Sequence, residues 1–134
     1  MSRAALSLIA LLAALTVAGC TTTSSDTQKF QGTEGEVADA IGDLESAGKR
    51  RDDGKICTEL LTRELARQMS APGAPCEREI SDAISDVDDF DLTVKDVSVS
   101  GQTATAQVQN DERRVTFRLQ KVGANWRIAS LGAR

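Results

Sequence analysis

Apolar side chains recur along this chain in three rhythms. The first is a run from Ala4 to Val17 broken only by Ser7 and Thr16. The second takes three- and four-residue steps: Val37, Ala40, Ile41, Leu44 and Ala47, then Ile56, Cys57, Leu60 and Leu61, then Cys76, Ile80, Ala83, Ile84 and Val87. Those steps put apolar groups on one side of a helix. The third has period two: Val97 and Val99, then Ala104, Ala106 and Val108, then Val115, Phe117 and Leu119, each alternating with polar residues, as half-buried strands do. A closing segment carries Trp126, Ile128 and Leu131.

Boundary residues punctuate these rhythms. Thr33-Glu34-Gly35-Glu36 has the Thr-x-x-Glu form of a capping box and predicts the start of the first helix. Gly48 with Lys49-Arg50-Arg51 suits its end, where cations oppose the negative pole of the helix dipole. Asp52 or Asp53 caps a second helix, with Thr62 available to cap its continuation through Leu65, Ala66 and Met69. The segment Ala71-Pro72-Gly73-Ala74-Pro75 breaks the chain before a third helix over about 76–87. Ser100-Gly101, Asn110-Asp111 and Gly123-Ala124-Asn125 separate four short strands. The expectation is an α+β domain over residues 33–134, with three N-terminal helices covering the dry face of a curved four-stranded antiparallel sheet.

The first rhythm has a different meaning. Arg3 precedes the 14-residue apolar run, and Val17-Ala18-Gly19-Cys20 closes it. The run is too short for a bilayer core, which takes about 20 helical residues. An n-region, an apolar stretch and a small-residue cleavage site make a secretory signal peptide over residues 1–19. Aliphatic, small, Gly and Cys in that order resembles the bacterial lipoprotein signal. The resemblance implies lipid attachment at Cys20 and a chain held on the extracytoplasmic face of the cell membrane. Residues 20–32, opening Thr21-Thr22-Thr23-Ser24-Ser25, are small and polar and read as a flexible tether.

Charge and composition narrow the chemistry. The net charge is -4, with 16 Lys and Arg scattered among 20 Asp and Glu. Without a basic face, nucleic acid is not an expected partner. The chain has no His and no Tyr, so the commonest general base and metal ligand is missing. Three cysteines are present. With Cys20 assigned to lipid, Cys57 and Cys76 form an even pair in an oxidising compartment, each on an apolar helical stripe, and we expect a disulfide. Two reduced buried thiols are the alternative. Two thiols alone make half a zinc site, so no metal is expected there.

Five aspartates, Asp82, Asp86, Asp88, Asp89 and Asp91, suggest a calcium loop, since hard cations take clustered carboxylates. A loop opening at Asp86 places Asp91 where the sharp turn requires Gly, so a solvated helix end is the expectation. Arg113, Arg114, Arg118 and Arg127 lie on or beside the last two strands. They read either as a patch for an acidic ligand or as cross-strand partners of Asp and Glu, the reading we favour here. Trp126 is expected in the core. No catalytic residue and no cofactor site emerges.

Asp53-Gly54-Lys55-Ile56-Cys57, Leu60-Leu61-Thr62, Cys76, Val97-x-Val99-x-Gly101-x-x-Ala104-x-Ala106, Val115-x-Phe117-x-Leu119 and Gly123-x-x-Trp126-Arg127-Ile128 together carry a second resemblance. Over roughly residues 33–132 the chain resembles the nuclear transport factor 2-like superfamily, also called the ketosteroid-isomerase-like cone, and within it small bacterial lipoproteins. The resemblance implies a cone with a cavity between helices and sheet. Enzymes of that superfamily use Tyr, His and Asp there, and a chain without Tyr or His cannot inherit that equipment. The expected role is a non-catalytic module binding an envelope protein or a small ligand near the membrane. The alternatives are an Asp/Glu acid–base enzyme and a structural assembly factor. A cavity filled by Trp126 and Phe117 argues against small ligands, and a cavity carboxylate with a raised pKa argues for an enzyme.

Overall fold

The computed structural model describes residues 29–111 and 113–132. The leader, Cys20 and the tether as far as residue 28 lie outside the described residues. Among the described residues no helix is long and apolar enough to cross a membrane.

The first helix, α1 (Gly32–Lys49), buries Val37, Ala38, Ile41, Leu44, Ala47 and Gly48. The expected capping box does not form. Gln31 is the N-cap and makes no side-chain cap bond, so Thr33 lies inside the helix, and Glu36, the box's far member, is engaged by Trp126 and Lys121 instead. The helix ends where the basic trio stands, and Arg51, not Gly48, takes the left-handed turn at φ 55°.

Among the described residues four α-helices and a π-turn stand where three helices were expected. The second apolar stripe divides into α2 (Asp53–Lys55), a π-turn (Ile56–Leu60) and α3 (Arg63–Met69). Leu61 leaves the helix in an extended conformation and pairs in parallel with Ile128. The Thr62 amide donates to the Ile128 carbonyl at 2.9 Å. Leu61 is 1% exposed and Ile128 0%. Burying two such side chains stabilises by roughly 1.5–3 kcal/mol each, well above the few tenths lost per broken helical position. Capping then restarts the helix: the Leu65 amide donates to Thr62 Oγ1 at 3.2 Å. Asp52 caps α2 in the same manner, accepting from the Lys55 amide. The last helix, α4 (Cys76–Ser85), stops two residues before the expected Val87.

The sheet is a four-stranded antiparallel meander, β1 (Thr93–Ser100), β2 (Thr103–Asn110), β3 (Arg113–Val122) and β4 (Asn125–Ser130), in chain order. Val97, Ala104, Ala106, Val108, Phe117, Leu119, Trp126 and Ile128 bury one face against the helices. Two register shifts explain apolar spacings that strict alternation does not. One lies between Val94 and Asp96 on β1, so Val94 and Val97, three apart, both pack on the core. The other lies where Leu119 pairs with Ile128 and Arg118 with Ser130, which brings Leu131 to the same core.

Candidate functional site

Helices and sheet leave a cleft between them at one end of the sheet, the end that carries the Asn110-Asp111 turn. The cleft measures about 670 Å³ and is lined deeply by Ile56, Leu61, Ile84 and Phe117. Its outer wall comes from Met69, Ala83, Val87 and Phe90. The volume falls within the range of about 300–1,000 Å³ typical of small-molecule pockets. Among the described residues the only polar residues on its wall are Asn110, Arg113 and Arg114, the last on the outer face of β3; no carboxylate, hydroxyl or thiol lines it. Phe117 is 5% exposed and forms wall without filling the space.

A disulfide fixes one side of this cleft. Cys57, in the π-turn, is bonded to Cys76, the first residue of α4, across 19 residues of sequence, with the two Cα atoms 6.1 Å apart. The expected pairing is therefore present. Both cysteines are buried, and the bond ties α4, which supplies Ile84 and Ala83, to the segment that supplies Ile56.

The loop over residues 86–92 borders the mouth and is held by α1 and by the end of β2. Asp91 pairs with Lys49, and that contact first, then the one with Glu45, pushes the Lys49 ammonium well above its ordinary value. The Leu92 amide donates to Glu45 Oε2 at 3.3 Å, and Asn110 Nδ2 donates to the Asp91 carbonyl at 2.8 Å. The Phe90 ring packs against Gly48, where any Cβ would collide with it. Gly48 is small because a ring occupies the place of its side chain.

Beyond the mouth lies a polar recess of about 600 Å³ lined by Asp86, Asp88, Asp89 and Asp111, which shares Val87, Asn110 and Arg113 with the apolar cleft. Among the described residues no three metal-ligating side chains are gathered to hold an ion. Of the acidic run, Asp86, Asp88 and Asp89 face this recess, while Asp91 pairs with Lys49.

The opposite end of the domain has no apolar cleft; it carries a shallow polar recess of about 570 Å³ whose wall includes Glu36, Asp39, Asp43, Glu59, Lys55 and Trp126. Trp126 is 5% exposed, as expected of a core residue, and its Nε1 donates to Glu36 Oε2 at 3.2 Å. Lys121 donates to the same oxygen at 3.3 Å and sits 5.6 Å from the Trp126 ring centroid. The Lys121 bond first, then that of Trp126, holds the Glu36 carboxyl below its ordinary range. Glu64 is also lowered, by Gln68 and then Arg67. Neither lines the apolar cleft.

The arginines depart from expectation. Their cross-strand neighbours are neutral: Asn110 opposite Arg113, Gln109 opposite Arg114, Thr105 opposite Arg118 and Gln120 opposite Arg127. Among the described residues no ion pair joins them to Asp or Glu. The residues opposite, on β2, β3 and β4, are amides and hydroxyls, so the register offers no carboxylate. Arg127 Nη1 donates instead to the Thr58 carbonyl at 3.0 Å and the Leu61 carbonyl at 3.5 Å, bracing the break in the second helix. Arg114 and Arg118 share the exposed face of β3, as alternation requires, and Arg113 shares the inner face with Val115 and Phe117.

Asn110, Ala83 and Phe90 were not singled out as site residues from the sequence. Asn110 reads as a turn residue and Phe90 as one apolar residue in an acidic stretch. A signal was present: Ala83, Val87, Phe90 and Leu92 extend the apolar stripe of α4 past the set that the sheet covers.

Comparison with protein-family models, with curated proteins and with solved structures yields no match to this chain.

Proposed function

We propose that this chain is a lipid-anchored, extracytoplasmic binding module whose working site is the open apolar cleft. The observation that carries the proposal is the cleft itself: about 670 Å³ of apolar wall, with polar groups confined to the mouth. A core of this size has no folding reason to leave such a space open, since unfilled apolar volume costs stability. The reading is non-catalytic, because the carboxylates that an acid–base enzyme of this composition would need lie outside the cleft. Lipid attachment at Cys20 is part of the proposal, supported by the lipobox and in keeping with the Cys57–Cys76 disulfide, a bond that persists in oxidising compartments. So is the cone-like curl of the sheet that the nuclear transport factor 2-like resemblance implies.

The cleft is tested with the uncharged fluorophore N-phenyl-1-naphthylamine and the full chain carrying Cys20→Ser, which bears no acyl groups. Fluorescence rises saturably on binding, and Ala83→Trp, a change at an exposed wall position, abolishes the rise while leaving the circular dichroism unaltered. The same signal from wild type and Ala83→Trp refutes the site. For the anchor, Cys20→Ser is expected to leave the precursor unlipidated and uncleaved in cells; normal maturation of that variant defeats the assignment.

A further inference from the structure

We infer that the cleft takes a single-chain zwitterionic amphiphile, in which an alkyl chain is followed by a phosphate and then an ammonium group, as in a lysophosphatidylethanolamine. This rests on the binding role proposed above and assigns its ligand class.

A ligand leaving the cleft meets three environments in a fixed order. The deep wall of Ile56, Leu61, Ile84 and Phe117 offers only hydrocarbon. At the mouth stands Arg113, on the inner face of β3. Its guanidinium suits a phosphate, to which it can present two parallel donors. Past Arg113 the polar recess begins, and its carboxylates come from Asp86, Asp88, Asp89 and Asp111. Arg113 and Asn110 line both spaces, so the two meet there. The sequence of environments is apolar, cationic, anionic.

That order discriminates among amphiphiles. A fatty acid places its carboxylate at Arg113 but faces the aspartates with a like charge. A cationic surfactant places its ammonium against the arginine. A neutral glyceride gives neither charge a partner and still displaces water from both. Only a head with the anion next to the chain and the cation beyond it matches each environment in turn. The volume of the cleft suits one small molecule, which favours one chain over two. A domain tethered by its own lipid works at a bilayer surface, where such molecules are concentrated.

The test is displacement of N-phenyl-1-naphthylamine from the full Cys20→Ser chain by three competitors of equal chain length, below their micelle concentrations: lysophosphatidylethanolamine, the free fatty acid and the monoacylglycerol. The zwitterion is expected to displace at about tenfold lower concentration than either of the others, the gain from one charge-assisted contact. Arg113→Gln removes that advantage and leaves monoacylglycerol displacement within about twofold. Asp88→Asn with Asp89→Asn narrows the gap between fatty acid and zwitterion. All three altered side chains are exposed, so the fold tolerates the changes. Equal displacement by all three competitors, or preference for the fatty acid in wild type, overturns the inference while the binding role stands. Failure of the fluorophore to bind removes both.

Discussion

The two ends of this domain use aromatic side chains in opposite ways. At the Gly123 end, Trp126 enters the space between α1 and the sheet and finds a partner for its one polar atom in Glu36. The ring fills the apolar volume and its N–H is satisfied, so what remains at this end is a polar recess lined by carboxylates and not an apolar cleft. At the Asn110 end the aromatics are Phe90 and Phe117. Phe117 lies along the wall, and Phe90 turns aside to pack against Gly48 at the end of α1. No ring occupies the middle, and the cleft remains. An open pocket in a domain this small thus depends on where a few rings are anchored, and the anchors are a glycine at one end and a carboxylate at the other.

Three experiments press on that contrast. The largest effect is expected at the covalent staple. Replacing Cys57 and Cys76 together by Ser should lower stability by about 3 kcal/mol on the loop-entropy account, measured by urea unfolding. Amide exchange in α4 should rise, while Trp126 fluorescence stays native; equal loosening at both ends would show that the ends are not independent. Next comes Gly48→Ala. The new methyl collides with the Phe90 ring, and overpacking of about 1–3 kcal/mol outweighs a helix-propensity gain of about 0.5–1 kcal/mol. A net loss of about 1 kcal/mol is expected, with altered fluorophore binding in the cleft; a stabilised variant would mean that Phe90 is not held by the glycine.

The smallest effect belongs to the Trp126 end and appears as pH dependence. The Glu36 carboxyl is depressed below its ordinary value of 4.5 by Lys121 and Trp126. A depressed carboxyl contributes stability that is complete above the unfolded-state value and is lost as pH falls through the folded-state value. Acid titration of the intrinsic fluorescence, which comes from the one Trp in a chain without Tyr, should therefore show a step below pH 4.5. Glu36→Gln should erase the step and leave binding in the cleft unchanged. A step that survives the substitution assigns it to another carboxyl.

Much of this architecture was legible in the residues. Period-two segments became β2 and β3 with the expected inward sets, and the Pro-rich break before Cys76 appeared where it was read. The pairing of Cys57 with Cys76 followed from parity and from two apolar stripes. What escaped did so for identifiable reasons. The second helix looked continuous because Leu60, Leu61 and Leu65 keep helical spacing, yet Leu61 serves the edge of β4 as well as the helix. Thr33 and Glu36 match a capping box, but Glu36 makes better use of its carboxylate 90 residues away. Pairing of the arginines with acids was a fair expectation from composition and failed on register, which is decided by turn length and bulges.

Local pattern determined the α+β class, the strand order of a meander joined by tight turns, and the residues that face inward, because these depend on periodicity and on neighbours in sequence. The open cleft, the Phe90–Gly48 contact and the break at Leu61 were decided only in three dimensions. Each is a competition between a residue's local preference and a distant partner, and a one-dimensional pattern carries the first without the second.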